Sequence, residues 1–108
     1  MLQGTIIENS LIDPSGLSDL SILKSWPSGT WNLHQVQLDR QQALQLADNL
    51  NVGPWYMHFW EHGKDDVLVV FKDSTFDIKY SDKSTWNEAV AHGRSLGIPE
   101  EQLDFRIY

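Results

Sequence analysis

Between positions 53 and 80 the chain alternates in three short apolar runs, at 55–61, 67–71 and 76–80, each bounded by Gly, Pro, Asp or Ser. Aromatic and β-branched residues fit a pleated surface and the bounding residues supply turn geometry, so the stretch predicts an antiparallel three-strand meander. Alternation places Trp55, Met57 and Phe59 on one face of its first strand and Tyr56, His58 and Trp60 on the other. Residues 31–38 alternate too, with Trp31 and Leu33 facing one way and His34, Val36 and Leu38 the other, which predicts a further strand. Weaker strand signals lie at Gly4 to Ile7 and, at the end of the chain, over 105–108.

Helical spacing occurs three times. Asp13-Pro14 combines a side chain able to cap with a residue suited to the first helical position. Leu17, Leu20, Leu23 and Trp26 follow at intervals of three, and Pro27 and Gly29 close the segment. Asp39 opens a second helix that carries Ala43, Leu46, Ala47 and Leu50 as one stripe. A third begins near Ser84 or Thr85; Thr85 with Glu88 forms a capping-box pattern. Trp86, Ala89, Val90, Gly93 and Leu96 then share a face, Gly93 permits close approach to the sheet, and Gly97 and Pro99 end the helix. One more helical turn follows at 99–103.

The order of elements predicts an α+β domain: a mainly antiparallel sheet containing the meander at about 55–80, with two to three helices packed largely on one face. Its 108 residues suit one globular domain. An apolar fraction of 41% and a charged fraction of 21% argue against wholesale disorder.

Charge narrows the partners. The net charge is −7, and the eight Lys and Arg residues are scattered singly. Nucleic acids and anionic membranes attract clustered positive charge, so neither is an expected partner. The chain has no cysteine, which removes disulfides and thiolate chemistry. No apolar run has the length of a signal peptide or membrane span, and a soluble, cytoplasmic protein is expected.

Candidate chemistry is sparse. His58-Phe59-Trp60-Glu61-His62 matches the H-x-x-E-H spacing of the inverzincin metalloproteases, whose two histidines bind zinc one helical turn apart. On a strand those positions lie about 13 Å apart, too far to share an ion. No metal or other cofactor is therefore expected. The pairs Asp65-Asp66 and Glu100-Glu101 fall in a turn and at a helix start, where carboxylates have structural uses. No serine lies in G-x-S-x-G, and no glycine pattern cradles a nucleotide. His34 reaches the neighbourhood of His58 only if strand pairing brings them together; His62 reads as a turn residue and His92 as a helix-surface residue.

What remains is the second face of the meander. Tyr56, His58 and Trp60 combine apolar rings with polar tips, and Asp77 and Lys79 are expected to edge them. Such a face is buried by the chain's own segments, shared with a partner or a second copy, or hollowed into a ligand site. The leading expectation is a non-catalytic protein-binding or self-associating module using this face. The alternative is a small-molecule binder or enzyme with His58 in an aromatic pocket. A flat exposed patch favours the first and a concave pocket with a second titratable group the second.

Overall fold

In the computed structural model, residues 1–105 are described. Six strands form one sheet: β1 (Leu2–Ile7), β2 (Ser21–Ser28), β3 (Trp31–Leu38), β4 (Met57–Trp60), β5 (Asp66–Val70) and β6 (Thr75–Lys79). Their order is β2-β3-β1-β4-β5-β6, and every neighbouring pair is antiparallel. With two helices, α1 (Arg40–Leu46) and α2 (Asn87–Ser95), this is the α+β architecture the pattern predicts. The strand expected over 105–108 lies outside the described residues, except for the buried Phe105.

The N-terminal strand β1 sits in the middle of the sheet and joins the β2–β3 hairpin to the β4–β6 meander. Gly4 makes that junction possible. A Cβ there would lie 2.5 Å from the His58 carbonyl oxygen and 2.6 Å from a Phe59 ring carbon. The hairpin turns at Gly29-Thr30, where Gly29 takes φ +61° and Thr30 keeps a negative φ, as a two-residue turn with glycine first requires.

Each face of the sheet carries its own core. On one, Ile6, Val36, Met57, Phe59, Leu68 and Val70 meet the α1 stripe of Ala43, Leu46, Ala47 and Leu50. The Asp39 carboxylate accepts from the Gln42 backbone N–H, and the Gln42 side chain accepts from the Asp39 N–H, so a full capping box starts this short helix. On the other face, Trp60, Val67, Val69 and Ile78 lie under Trp86, Ala89, Ile98, Leu103 and Phe105. The expectation that helices share one face is thus corrected: α1 and α2 cover opposite faces. β5 dictates this outcome, because it is apolar on both sides and each side needs a cover.

Three local expectations also change. Leu17, Leu20, Leu23 and Trp26 do not continue one helix: a 3-10 segment at Pro14–Asp19, capped by Asp13, gives way to β2. Asp82, rather than Thr85 or Ser84, caps the third helical segment, accepting from the Ser84 N–H before a 3-10 turn leads into α2. Gly93 admits Leu103, not the sheet; its absent Cβ would lie 2.5 Å from a Leu103 methyl. Gly97, at φ +88°, ends α2, with its own N–H donating to the Arg94 carbonyl and the Ile98 N–H to that of Gly93. Among the described residues no helix is long and apolar enough to cross a membrane.

Candidate functional site

Strand register decides which predicted site residues meet. His58 pairs with Val69, and Val69 with Phe76; Phe59 pairs with Leu68, and Leu68 with Asp77. Directly paired residues share a face, so Tyr56, His58 and Trp60 lie on the α2 side while Asp77 and Lys79 lie on the α1 side. The expected five-residue cluster therefore divides across the sheet. Asp77 receives both terminal nitrogens of Arg40 at 2.8 Å, and that guanidinium holds its carboxyl below the usual carboxylate range. Lys79 pairs with Asp66, and its ammonium is pushed up by that carboxylate.

The three aromatic residues do assemble. Tyr56 stacks on His58 with ring centroids 6.2 Å apart, and His58 on Trp60 at 5.4 Å; the Phe105 edge meets both Tyr56 and His58. Trp60 is only 2% exposed and belongs to the α2-side core. The chain itself thus covers that end of the stack. Tyr56 donates its phenolic hydrogen to the Gln102 carbonyl, and burial, reinforced by the nearby Asp104 carboxylate, pushes its phenol up to about 12.

Among the described residues, coverage of this face stops at the middle of the sheet. Thr5, Ile7 and Leu33 lie on the same side as His58 but belong to neither core, and Trp31 remains 40% exposed. Between these residues and the Gly97-Ile98-Pro99 segment runs an open groove of about 640 Å³. Tyr56 and His58 stand in its wall. Trp55 enters it as well and meets Trp31 edge-to-face at 5.9 Å with an interplanar angle of 61°.

Sequence alternation assigned Trp55 to the buried side of β4, but β4 begins only at Met57, so alternation does not reach back to it. Trp55 is half-buried and touches the α1-side core while also lining the groove. Alternation places Trp31 on one face with Leu33, but no local motif joins it to Tyr56 and His58, because that meeting depends on β3 pairing with β1.

The groove presents mainly aromatic rings and aliphatic side chains. Among the described residues its only titratable lining side chains are Tyr56 and His58, and the Tyr56 phenol is held protonated far above neutrality. Its walls are otherwise apolar or neutral. The acidic residues Glu100 and Glu101 adjoin lining residues Pro99 and Gln102 in sequence, whereas Glu8, next to Ile7, turns to His34 on the opposite face.

The other histidines are elsewhere. His34 faces the α1 side, so it does not join His58. His62 lies in the turn after β4. His92 meets the Phe71 ring at 4.7 Å and the Asp73 carboxylate at 2.8 Å, bracing α2 against the β5–β6 turn. Among the described residues, no three His, Asp or Glu side chains are placed to hold a metal ion. No known protein family matches the chain, and no curated protein or solved structure is significantly similar to it.

Proposed function

We propose that this protein is a binding module whose working surface is the Trp31–Trp55 groove, and that its occupant is a partner polypeptide segment presenting a lysine or arginine among apolar residues. The observation that carries this reading is the corner formed by two indoles in a groove whose other lining is mostly apolar, with Thr5, Gln102, Tyr56 and His58 as its polar members. Exposed aromatic faces attract a cation through their quadrupoles, most strongly for Trp, while the aliphatic stem of Lys or Arg packs on Ile7 and Leu33. Charge supports the same occupant. Among the described residues no Lys or Arg lines the groove, Glu100 and Glu101 stand next to lining residues Pro99 and Gln102 in sequence, and the molecule carries fifteen carboxylate side chains against eight cationic ones. The cysteine-free chain needs no oxidising compartment, in keeping with a cytoplasmic encounter.

One observation favours a second reading. A volume of about 640 Å³ also falls within the range of small-molecule sites, so a flat neutral ligand stacked against Trp31 and Trp55 is the competing occupant. The test is a titration of short leucine-flanked peptides carrying Lys, Arg, acetyl-lysine or Glu, followed by the indole N–H resonances of Trp31 and Trp55. Basic peptides should shift both resonances and lose affinity as salt rises. Trp31→Ala should weaken them about fivefold without loss of fold, since a cation–π contact is worth on the order of 1 kcal/mol. Equal binding of acetyl-lysine and lysine peptides would remove the cationic occupant. Response only to neutral aromatic compounds would transfer the groove to small molecules, and concentration-dependent shifts without any added peptide would assign it to a second copy of the chain.

A further inference from the structure

A second constellation lies on the opposite side of the sheet, at the β2–β3 end. Ser25 of β2 is paired directly with His34 of β3, and His34 with Ile6 of β1 on its other side. Two residues beyond Ile6, in the 3-10 turn that follows β1, Glu8 returns to the same face. Register alone thus aligns a hydroxyl, an imidazole and a carboxylate.

The distances are 2.6 Å from Ser25 Oγ to His34 Nδ1 and 3.1 Å from His34 Nε2 to Glu8 Oε1. A carboxylate only accepts, so Nε2 carries the proton and donates to Glu8. In the neutral ring, Nδ1 is then an acceptor and the Ser25 hydroxyl donates to it. The imidazole side chain is 14% exposed and Glu8 34%, while Ser25 itself is open to solvent. A depression of about 310 Å³ at the sheet edge borders the serine; Pro27 and Asn32 lie on the Ser25–His34 face, while Trp26 and Leu33, paired with each other on the groove side, border it from the other side of the strands.

We propose that Ser25, His34 and Glu8 form an acyl-transfer site that hydrolyses small, uncharged carboxylic esters. The inference is independent of the groove and sets a chemical step beside binding. A serine hydroxyl is a weak nucleophile until an adjacent base takes its proton, and a third group must hold that base in one tautomer. Ser25, His34 and Glu8 supply those three roles, with the two ring nitrogens exchanged relative to the commonest arrangement. Either nitrogen is competent, because only the hydrogen-bond partner decides which one carries the proton.

The reaction balances within the site. Ser25 Oγ bonds to the ester carbonyl carbon as its proton passes to His34 Nδ1, and Asn32, which lines the same depression, carries the side-chain amide that would donate to the developing oxyanion. The carbon–alkoxide bond then breaks, and the alcohol leaves with the proton from Nδ1. Water adds to the acyl carbon, giving a proton to Nδ1. Cleavage of the acyl–Oγ bond returns that proton to Ser25 and releases the carboxylic acid. Glu8 is a positioning residue that stabilises the imidazolium between these steps. The small apolar wall suits a short acyl chain or aryl leaving group, and Glu8 disfavours a carboxylated substrate.

The full chain, without substitution, is treated with a fluorophosphonate, and the modified residue is located by peptide mass spectrometry. Hydrolysis of p-nitrophenyl acetate is followed in parallel. Phosphonylation of Ser25 is expected, with ester turnover that Ser25→Ala abolishes and His34→Gln slows about a hundredfold, the usual contribution of a positioned base. Glu8→Gln should lower kcat and leave KM unchanged, a split that mere loss of a strand tie would not produce. An unlabelled protein under conditions that fully mark a reference serine hydrolase, label on another residue, or turnover persisting in Ser25→Ala would overturn the proposal. Because labelling is read on the native sequence, it decides the matter even where a variant fails to fold. The groove has separate readouts in Trp31 and Trp55, so failure here leaves that reading untouched.

Discussion

Gly4 and Gly93 both lack room for a Cβ, yet they predict different outcomes because of what stands in the way. At Gly4 the nearest atom is a backbone oxygen of β4, so relief requires moving a central strand. Gly4→Ala should cost about 3 kcal/mol, the upper part of the range for overpacking, measured as a shift in the urea midpoint. At Gly93 the obstacle is the flexible end of Leu103, and alanine also improves helix propensity by about 1 kcal/mol. Gly93→Ala should therefore stay within about 1 kcal/mol of the parent, and Leu103→Ala should be less damaging in its background than alone. Equal costs at the two glycines would contradict this account.

Tyr56 predicts a pH effect. Its folded phenol lies at about 12, above the ordinary value near 10, chiefly through burial. The folded state then holds the proton more tightly than the unfolded chain. Its stabilising contribution is complete below about pH 10 and lost as pH rises toward 12. Tyr56→Phe removes that titration, so melting temperature should fall less steeply above about pH 10 in the variant than in the parent; parallel curves would refute the assignment.

At the scale of elements, sequence periodicity was informative within a strand and silent between strands. Alternation correctly separated Met57 and Phe59 from His58 and Trp60, and the α1 stripe of Ala43, Leu46, Ala47 and Leu50 is buried as its spacing implies. Asp77 and Lys79 were grouped with His58 because alternation fixes the two faces of β6 without saying which face aligns with which on β4. That information resides in the register through β5. The segment around Leu23 misled for a different reason. β2 is an exposed edge strand with a register shift between Ile22 and Lys24, so the extra residue breaks the period of two and leaves spacings of three that imitate a helix. The Ser25–His34–Glu8 alignment was illegible for the same cause, since it depends on pairing between β2, β3 and β1.

The opposite placement of α1 and α2 bears directly on Trp60. A sheet covered on one side would leave its indole as a surface anchor, whereas α2 and the segment to Phe105 bury it. Trp60→Ala should consequently cost about 3–5 kcal/mol in chemical denaturation, as for a large core aromatic. Little change in stability with a change in oligomeric state would return Trp60 to the surface role.

For the whole molecule, the decisive feature is that the first strand in sequence is central in space. The β2–β3 hairpin and the β4–β6 meander each form from neighbouring segments, and β1 alone links them within the sheet. The two cores lie on opposite faces of that sheet and share no buried side chain. β1 contributes Ile6 to one core and the Thr5 and Ile7 floor to the groove on the other side. Its removal should therefore divide the molecule instead of trimming it. Deleting residues 1–7 should abolish the single cooperative thermal transition and the dispersed amide spectrum together, because neither remaining strand set keeps both covers over a continuous sheet. Retention of a sharp transition, with native-like chemical shifts for Trp60, Ile78 and Ala89, would show instead that the meander and α2 fold as an autonomous unit. The groove would then be a joint between two units, and its width would vary with the angle at Gly4.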